Sequence, residues 1–351
     1  MANMAQAIRM ALHYAEENLG VTDIFGEDVG PPLGGVFTAT QGLKNAWNAP
    51  LDERGIIGAA MGLAMAGSRP VAEIQFVDYI YNTIDLLKLA GNTCWSSNGD
   101  WNLPMVVMSP VGSGIRGSIY HSHSFDATAT HIPGWKIVMP STPLDAYGLM
   151  LSACQDKNPV MFLKPKALLR VKGEERIPGE PDDDKALSKM IDAPLGDRSQ
   201  WKPNWPKVEG YTVPIGKAKL VREGRGLTVV SYGRTQPLCL KAANTLASEG
   251  VDAEVIDLRT LWPYDWETVS RSIEKTGRVL FVNEDTEVTN FGEHLARRAV
   301  EDHFYRLSAP PRVLAGKFIP GIGLADTLEM ASVPQLNDIT EAIRKLAAEQ
   351  P

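Results

Sequence analysis

The chain reads as an α/β protein of two domains, and three observations carry that reading. Helix-like and strand-like periodicities alternate from residue 4 to about residue 163 and again from 227 to 303, the pattern of mainly parallel sheets covered by helices on both faces. Between them, from about Lys164 to Lys207, the periodicity gives way to charges, prolines and tryptophans, as in Pro181-Asp182-Asp183-Asp184-Lys185 and Trp201-Lys202-Pro203-Asn204-Trp205-Pro206. That composition suits a linker with little room for a core of its own, with Trp201 and Trp205 pinning it to a domain surface. Finally, 351 residues exceed one typical core but give two halves enough apolar surface to bury. The expected division is a first domain over 1–165, a linker over 166–207 and a second domain over 208–351.

Taken in order, the first domain opens with an amphipathic helix from about Met4 to Asn18 and a short strand around Val21 to Gly26. A Gly/Pro-rich loop, Gly30 to Gly35, is followed by a helical Gln41 to Trp47, a Gly/Ala-rich helix, a strand from Arg69 to Phe76 and a long amphipathic helix from Tyr79 to Trp95. The strand Met105 to Met108, a Gly/Ser loop from Gly112 to Ser118, the strand Trp135 to Met139, the helix Leu144 to Gln155 and the buried strand Val160 to Leu163 complete it. In the second domain we expect strands at Leu227 to Tyr232, Ala253 to Leu258 and Arg278 to Val282, with helices at Pro237 to Glu249, Trp266 to Lys275 and Gly292 to His303. No internal repeat is visible.

Composition excludes several classes of function. A formal charge of -7 and a pI near 5.5 disfavour nucleic acid or an anionic membrane surface as the main partner. The three cysteines, Cys94, Cys154 and Cys239, are far apart and form no Cys-x-x-Cys, so they suggest neither a disulfide framework nor a zinc site. A cytoplasmic or organelle-matrix setting fits that usage, and the amino terminus leads straight into an amphipathic helix without the marks of a secretory signal.

The Gly/Ala run has the most to say about function. From Gly55 to Gly67 small residues recur at spacings of three and four, so one helical face would admit another backbone closely. Glycine inside a helix costs about 1 kcal/mol relative to alanine, which close packing or a ligand must offset. The run is too short to span a bilayer. Glu53 precedes it, where helix amides favour an anion. Among the histidines, His121 and His123 follow the flexible stretch Gly112 to Tyr120, which can deliver side chains to a cleft. A His-x-His metal pair is the weaker reading of these two, since no His-Glu-x-x-His or clustered carboxylate accompanies them. No Gly-x-Ser-x-Gly elbow or phosphate loop occurs, and Gly112-Ser-Gly-Ile-Arg-Gly117 matches the dinucleotide fingerprint by letter without opening a helix.

Five segments then occur in one order: Glu27-Asp28-Val29-Gly30, Pro50-Leu51-Asp52-Glu53, Ala72 to Ile80, Tyr120-His121-Ser122-His123-Ser124 and His131-Ile132-Pro133-Gly134. Together they resemble the beta subunit of the thiamine-diphosphate-dependent decarboxylating component of 2-oxoacid dehydrogenase complexes. The resemblance implies an N-terminal pyrimidine-binding domain and a C-terminal transketolase-like domain in an α2β2 assembly, whose alpha subunit holds magnesium and the diphosphate. It implies that Glu53 hydrogen-bonds the pyrimidine ring nitrogen, that Gln75 and Tyr79 line the ring with Leu51 as an apolar contact, and that His121 assists acyl transfer to the lipoyl group of a dihydrolipoyl acyltransferase. Arg54 and His123 depart from the family's usual residues. The segment Ala153 to Pro159 resembles the helix end where relatives hold a potassium ion, which would draw on Met105, Ala153, Cys154, Asp156 and Asn158; a plain C-terminal helix cap is the alternative there. The segments around Gln75 and Tyr120 look more like the branched-chain than the pyruvate enzymes. A pyruvate or acetoin dehydrogenase beta subunit remains an alternative, as does a non-catalytic docking subunit of the same fold.

Overall fold

Helix α1 (Met4–Asn18) begins at a capping box, with the Asn3 side chain accepting from the Gln6 amide at 2.9 Å and the Gln6 side chain accepting from the Asn3 amide at 3.0 Å. Two otherwise orphaned donors are thereby satisfied. The computed structural model describes residues 1–194, 196–198 and 200–350, and the chain divides into two compact units. One unit comprises Met1–Pro110, His131–Lys164 and Leu168–Ile215; the other comprises Val111–Thr130, Pro165–Ala167 and Gly216–Pro351. Most of the segment expected as a linker thus lies inside the first unit.

In the first unit, β1 (Asp23–Gly26), β2 (Ala46–Asn48), α2 (Glu53–Met65), β3 (Pro70–Glu73), α3 (Ile84–Ser96) and β4 (Val106–Val111) follow α1. The chain then leaves for the second unit, where α4 (Asp126–Thr130) lies, and returns through β5 (Lys136–Val138), α5 (Pro143–Gln155), β6 (Val160–Pro165) and α6 (Asp184–Ile191). The strands lie in the order β5-β6-β4-β3-β1-β2, and the registered pairs β1–β2, β1–β3, β3–β4 and β5–β6 are parallel. Helices α1 and α5 supply much of the core, with Ile8, Met10, Leu12, Tyr147, Leu149 and Met150 fully buried. An ion pair between Lys164 and Glu73, both 0% exposed, crosses this interior, and the second Glu73 oxygen accepts from the Val36 amide at 3.0 Å, as a buried charge requires.

Three local expectations are corrected. Gln41 to Trp47 is not helical. Gly42 takes φ +79°, and Ala46–Asn48 instead pairs with β1, where Trp47 stacks on Phe25 at 4.4 Å. The helix expected from Tyr79 starts as a 3-10 turn, Val77–Thr83, and becomes α-helical only at Ile84. The charged segment between the domains carries α6, whose Leu187 and Ile191 are buried in the first core. Arg9 on α1 donates to Asp192 at 3.1 Å, and Trp205 stacks on His13 at 4.2 Å, so the segment is held along α1.

The second unit is built on β7 (Lys219–Arg222), β8 (Leu227–Ser231), α7 (Thr235–Ala247), β9 (Ala253–Asp257), β10 (Thr260–Trp262), α8 (Trp266–Thr276), β11 (Val279–Thr286), α9 (Phe291–His303), β12 (Arg312–Gly316), α10 (Asp326–Ser332) and α11 (Leu336–Ala348). A five-stranded sheet runs β12-β11-β8-β9-β7, parallel except for β7. Its core joins β8, β9 and β11 to α7 and α11 through Val229, Val255, Leu280, Leu246 and Ile343. Among the described residues, no helix is long and apolar enough to cross a membrane.

Candidate functional site

Strand register brings the first group of functional side chains together. Gly26 and Glu73 are partners at the ends of the parallel neighbours β1 and β3, so the residues that follow each strand emerge side by side at the carboxyl edge, where open α/β sheets bind ligands. Gly26 has to be glycine, since a Cβ there would lie 2.2 Å from the Glu73 carbonyl oxygen. Just past the strands, the Gln75 side-chain amide donates to Asp28 at 3.2 Å, and the Phe76 and Tyr79 rings meet edge to face at 6.3 Å.

Glu53 enters from the first turn of α2, and its Oε2 accepts from the Asn82 side-chain amide at 3.3 Å. Arg54 fixes this approach with two hydrogen bonds to Asp85, at 2.6 and 2.9 Å, and a third to the Asn82 carbonyl at 2.9 Å. The charges feel one another. Burial, then Asp28 and Glu53, push the Glu27 carboxyl above its ordinary value; burial, then Asp78, Glu27 and Glu53, push the Tyr79 phenol up. The first unit therefore gathers Glu53, Gln75 and Tyr79 with Glu27, Asp28 and Asn82. Leu51, two residues before Glu53, is 70% exposed. This donor set suits an aminopyrimidine, with carboxylates and an amide for its nitrogens and two rings for its face.

His121 lies in the second unit, half-buried after the 3-10 turn Ser118–Tyr120. Its segment is held from below by carboxylates. Glu284 accepts from the Ser113 amide at 3.2 Å and hydroxyl at 3.1 Å, and Glu329 accepts from the amides of Gly114 at 2.7 Å and Arg116 at 3.1 Å. Gly112 and Gly114 take φ +81° and +101° to present these amides. At the other end of the segment, Asp126 is fully buried beside Asp285 and accepts from the Tyr232 hydroxyl at 2.6 Å. Burial, then the Asp285 charge, raises the Asp126 pKa well above the usual carboxylate range, which favours the protonated form of this carboxyl. Sequence reading missed Glu284, Glu329 and Asp126 as supports of His121, because their partners are distant in sequence. Glu27 and Asp28 stood in a quoted motif without a role, and their place directly after a strand was the available signal.

The oxygens proposed for potassium all belong to the first unit. Met105 O accepts from the Val160 amide at 3.0 Å and Ala153 O from the Asp156 amide at 3.2 Å. Cys154 O and Asp156 O accept from the Arg69 guanidinium at 3.0 and 3.2 Å. The Asp156 carboxylate is paired with Lys136 and accepts from the Asn158 amide at 3.0 Å. Asn158 Oδ1 is buried and finds no hydrogen-bond partner among the described residues. Arg69 thus reaches the Cys154 and Asp156 carbonyls of this donor set, and Lys136 reaches the Asp156 carboxylate.

Comparison with known proteins agrees with the fold. The family model described as the transketolase pyrimidine-binding domain matches residues 1–172, and the transketolase C-terminal domain matches residues 216–339. The chain is 38% identical to the 2-oxoisovalerate dehydrogenase subunit beta of Bacillus subtilis (strain 168), covering 97% of both chains. It is 39% identical to the corresponding Pseudomonas aeruginosa subunit, over 89% of this chain and 86% of that one. It is 36% identical to the pyruvate dehydrogenase E1 component subunit beta of Acholeplasma laidlawii, over 99% and 98%. A solved split-gene transketolase, described as an inactive beta4 tetramer, shares the fold along the full length of both chains with a TM-score of 0.71 at 18% identity. The chain belongs to the family of beta subunits of 2-oxoacid dehydrogenases, built from a transketolase-type pyrimidine-binding domain and a transketolase C-terminal domain.

Proposed function

We propose that this chain is the beta subunit of a thiamine-diphosphate-dependent 2-oxoacid dehydrogenase that oxidatively decarboxylates a branched-chain 2-oxoacid and passes the acyl group to the lipoamide of a dihydrolipoyl acyltransferase. The observation that carries the proposal is the gathering of Glu53, Gln75 and Tyr79 beyond the carboxyl ends of β1 and β3. When bound, the cofactor supplies a carbon nucleophile for the 2-oxo carbon and takes up the electron pair left as carbon dioxide departs. Glu53 holds the ring nitrogen and moves a proton there through its carboxyl group. Asn82 and Arg54 keep that carboxyl in place. Gln75 and the rings of Phe76 and Tyr79 orient the heterocycle and exclude water. His121, whose imidazole can both accept and donate a proton, handles the proton of the lipoyl thiol during acyl transfer.

The pyrimidine is held here, and an alpha subunit supplies magnesium and the diphosphate contacts in an α2β2 heterotetramer working in the cytoplasm or an organelle matrix. The open face of α2 supports that assembly, since among the described residues nothing outside the helix's own backbone lies within 4 Å of a Cβ built at Gly58 or Gly62. The branched-chain preference rests on the 38% and 39% identity to 2-oxoisovalerate dehydrogenase subunits against 36% to the pyruvate dehydrogenase subunit, together with the segments around Gln75 and Tyr120. Release of carbon dioxide from a panel of 2-oxoacids by the reconstituted pair tests it. We expect the highest kcat/KM with a branched-chain acid; a clear preference for pyruvate would replace that substrate.

A further inference from the structure

We infer that Arg69 takes the place of a bound monovalent cation at the carboxyl end of α5, so that this chain holds that end of the helix without potassium. The inference is independent of the reaction proposed above. A helix ends in carbonyls that lack intrahelical partners and carry partial negative charge. At the end of α5, Cys154 O from the last turn and Asp156 O from the C-cap come within reach of a single nitrogen; Ala153 O lies in the same turn, and Met105 O, just before β4, accepts from Val160 at the entry to β6. Such a cluster of carbonyl oxygens suits a hard cation. Arg69, between α2 and β3, instead points a guanidinium into it, and one nitrogen donates to Cys154 O at 3.0 Å and to Asp156 O at 3.2 Å.

Charge decides between the side chain and an ion. Arg69 and Lys136 bring two positive charges and Asp156 brings one negative charge, which Lys136 already pairs. An added potassium ion would reach Cys154 O and Asp156 O only by lying against the guanidinium, where like charges in a half-buried site repel strongly. The orphaned Asn158 Oδ1 is one acceptor, too few to offset that repulsion. Arg69 is covalently attached and always charged, so the occupancy of this position does not vary with the salt present.

Two measurements on the full chain test the inference. The first is thermal unfolding in potassium chloride against choline chloride at equal ionic strength. The second is the anomalous signal of thallium(I), a potassium surrogate, soaked into crystals. For the unaltered chain we expect equal unfolding midpoints in the two salts and no thallium at these oxygens. Arg69→Ser should unfold lower in choline, recover by about 3 °C with saturable dependence on potassium, and bind thallium beside Met105 O, Ala153 O and Asp156 O. Arg69→Lys, which keeps a tethered cation, should stay indifferent to potassium. A saturable rise of the unaltered chain's midpoint with potassium, or thallium at these oxygens with Arg69 displaced, would overturn the inference. So would an Arg69→Ser chain that folds but neither binds thallium nor responds to potassium. Should Arg69→Ser fail to fold, the unaltered crystal and Arg69→Lys decide the matter.

Discussion

In the proposed function Glu53 is the residue on which the chemistry turns, because it starts α2 with its carboxylate on Asn82, whose carbonyl Arg54 holds. Glu53→Gln keeps the shape and removes the transferable proton. In the reconstituted pair it should lower 2-oxoacid decarboxylation by at least about 100-fold while size-exclusion chromatography shows an intact assembly; unchanged turnover would remove the role given to it. His121→Ala should slow reductive acylation of lipoamide by a similar factor while leaving cofactor affinity in place, and equal loss of both would make His121 a shaping residue only. Asp126 gives a pH prediction. Its folded-state pKa lies above its unfolded value of about 3.9, so its contribution is full below that value and is lost as pH rises through the folded pKa, at about 1.4 kcal/mol per pH unit. Asp126→Asn, which can still accept from Tyr232 and donate to Asp285, should flatten this slope and gain stability over the natural chain as pH increases, read from denaturant midpoints at pH 5 to 8. Glu53, Gln75, Tyr79 and His121 could be singled out as candidates in the sequence because each lies within a short ordered motif. The Asp126–Asp285 pair was not, because nothing in either local sequence announces the other.

At the level of elements, α2 shows why small residues recur at helical spacing. The face expected to admit a close neighbour meets none among the described residues at Gly58 or Gly62. Gly62→Ala should therefore stabilise the isolated chain by about 0.5–1 kcal/mol, the usual gain in an open helix interior, and weaken association with the alpha subunit. A destabilised isolated chain in calorimetry would show that the face is already filled. The segment before His121 makes a second case. Glu329→Ala leaves the Gly114 and Arg116 amides without their acceptor, a loss of about 1–3 kcal/mol, so hydrogen exchange should quicken at those two amides by about tenfold or more; unchanged protection would mean that Glu329 does not hold the segment. Most helices and strands were readable from periodicity, including α1, whose limits agree with the expectation. The failures have local causes. A glycine at positive φ ended the expected helix at Gly42, a 3-10 turn took the first residues of the one expected at Tyr79, and tertiary burial of Leu187 and Ile191 made a helix inside a charged, proline-rich segment.

For the molecule as a whole, the central claim is that one half of a coenzyme site is built here and a second subunit completes it. The first unit offers carboxylates, an amide and aromatic rings at the end of its parallel strands, a set that recognises a heterocycle, whereas magnesium and a diphosphate call for oxygen ligands around the metal and positive charge around the phosphates. The two-domain α/β plan was legible from the alternation of periodicities. The continuity of the chain between the units was not, because 111–130 joins the second unit and 168–215 the first only through long-range packing. Isothermal titration of thiamine diphosphate with magnesium into this chain, alone and then mixed with its alpha subunit, tests the claim most directly. We expect no measurable binding to the isolated chain and tight, stoichiometric binding to the pair; equal affinity in both titrations would contradict the account.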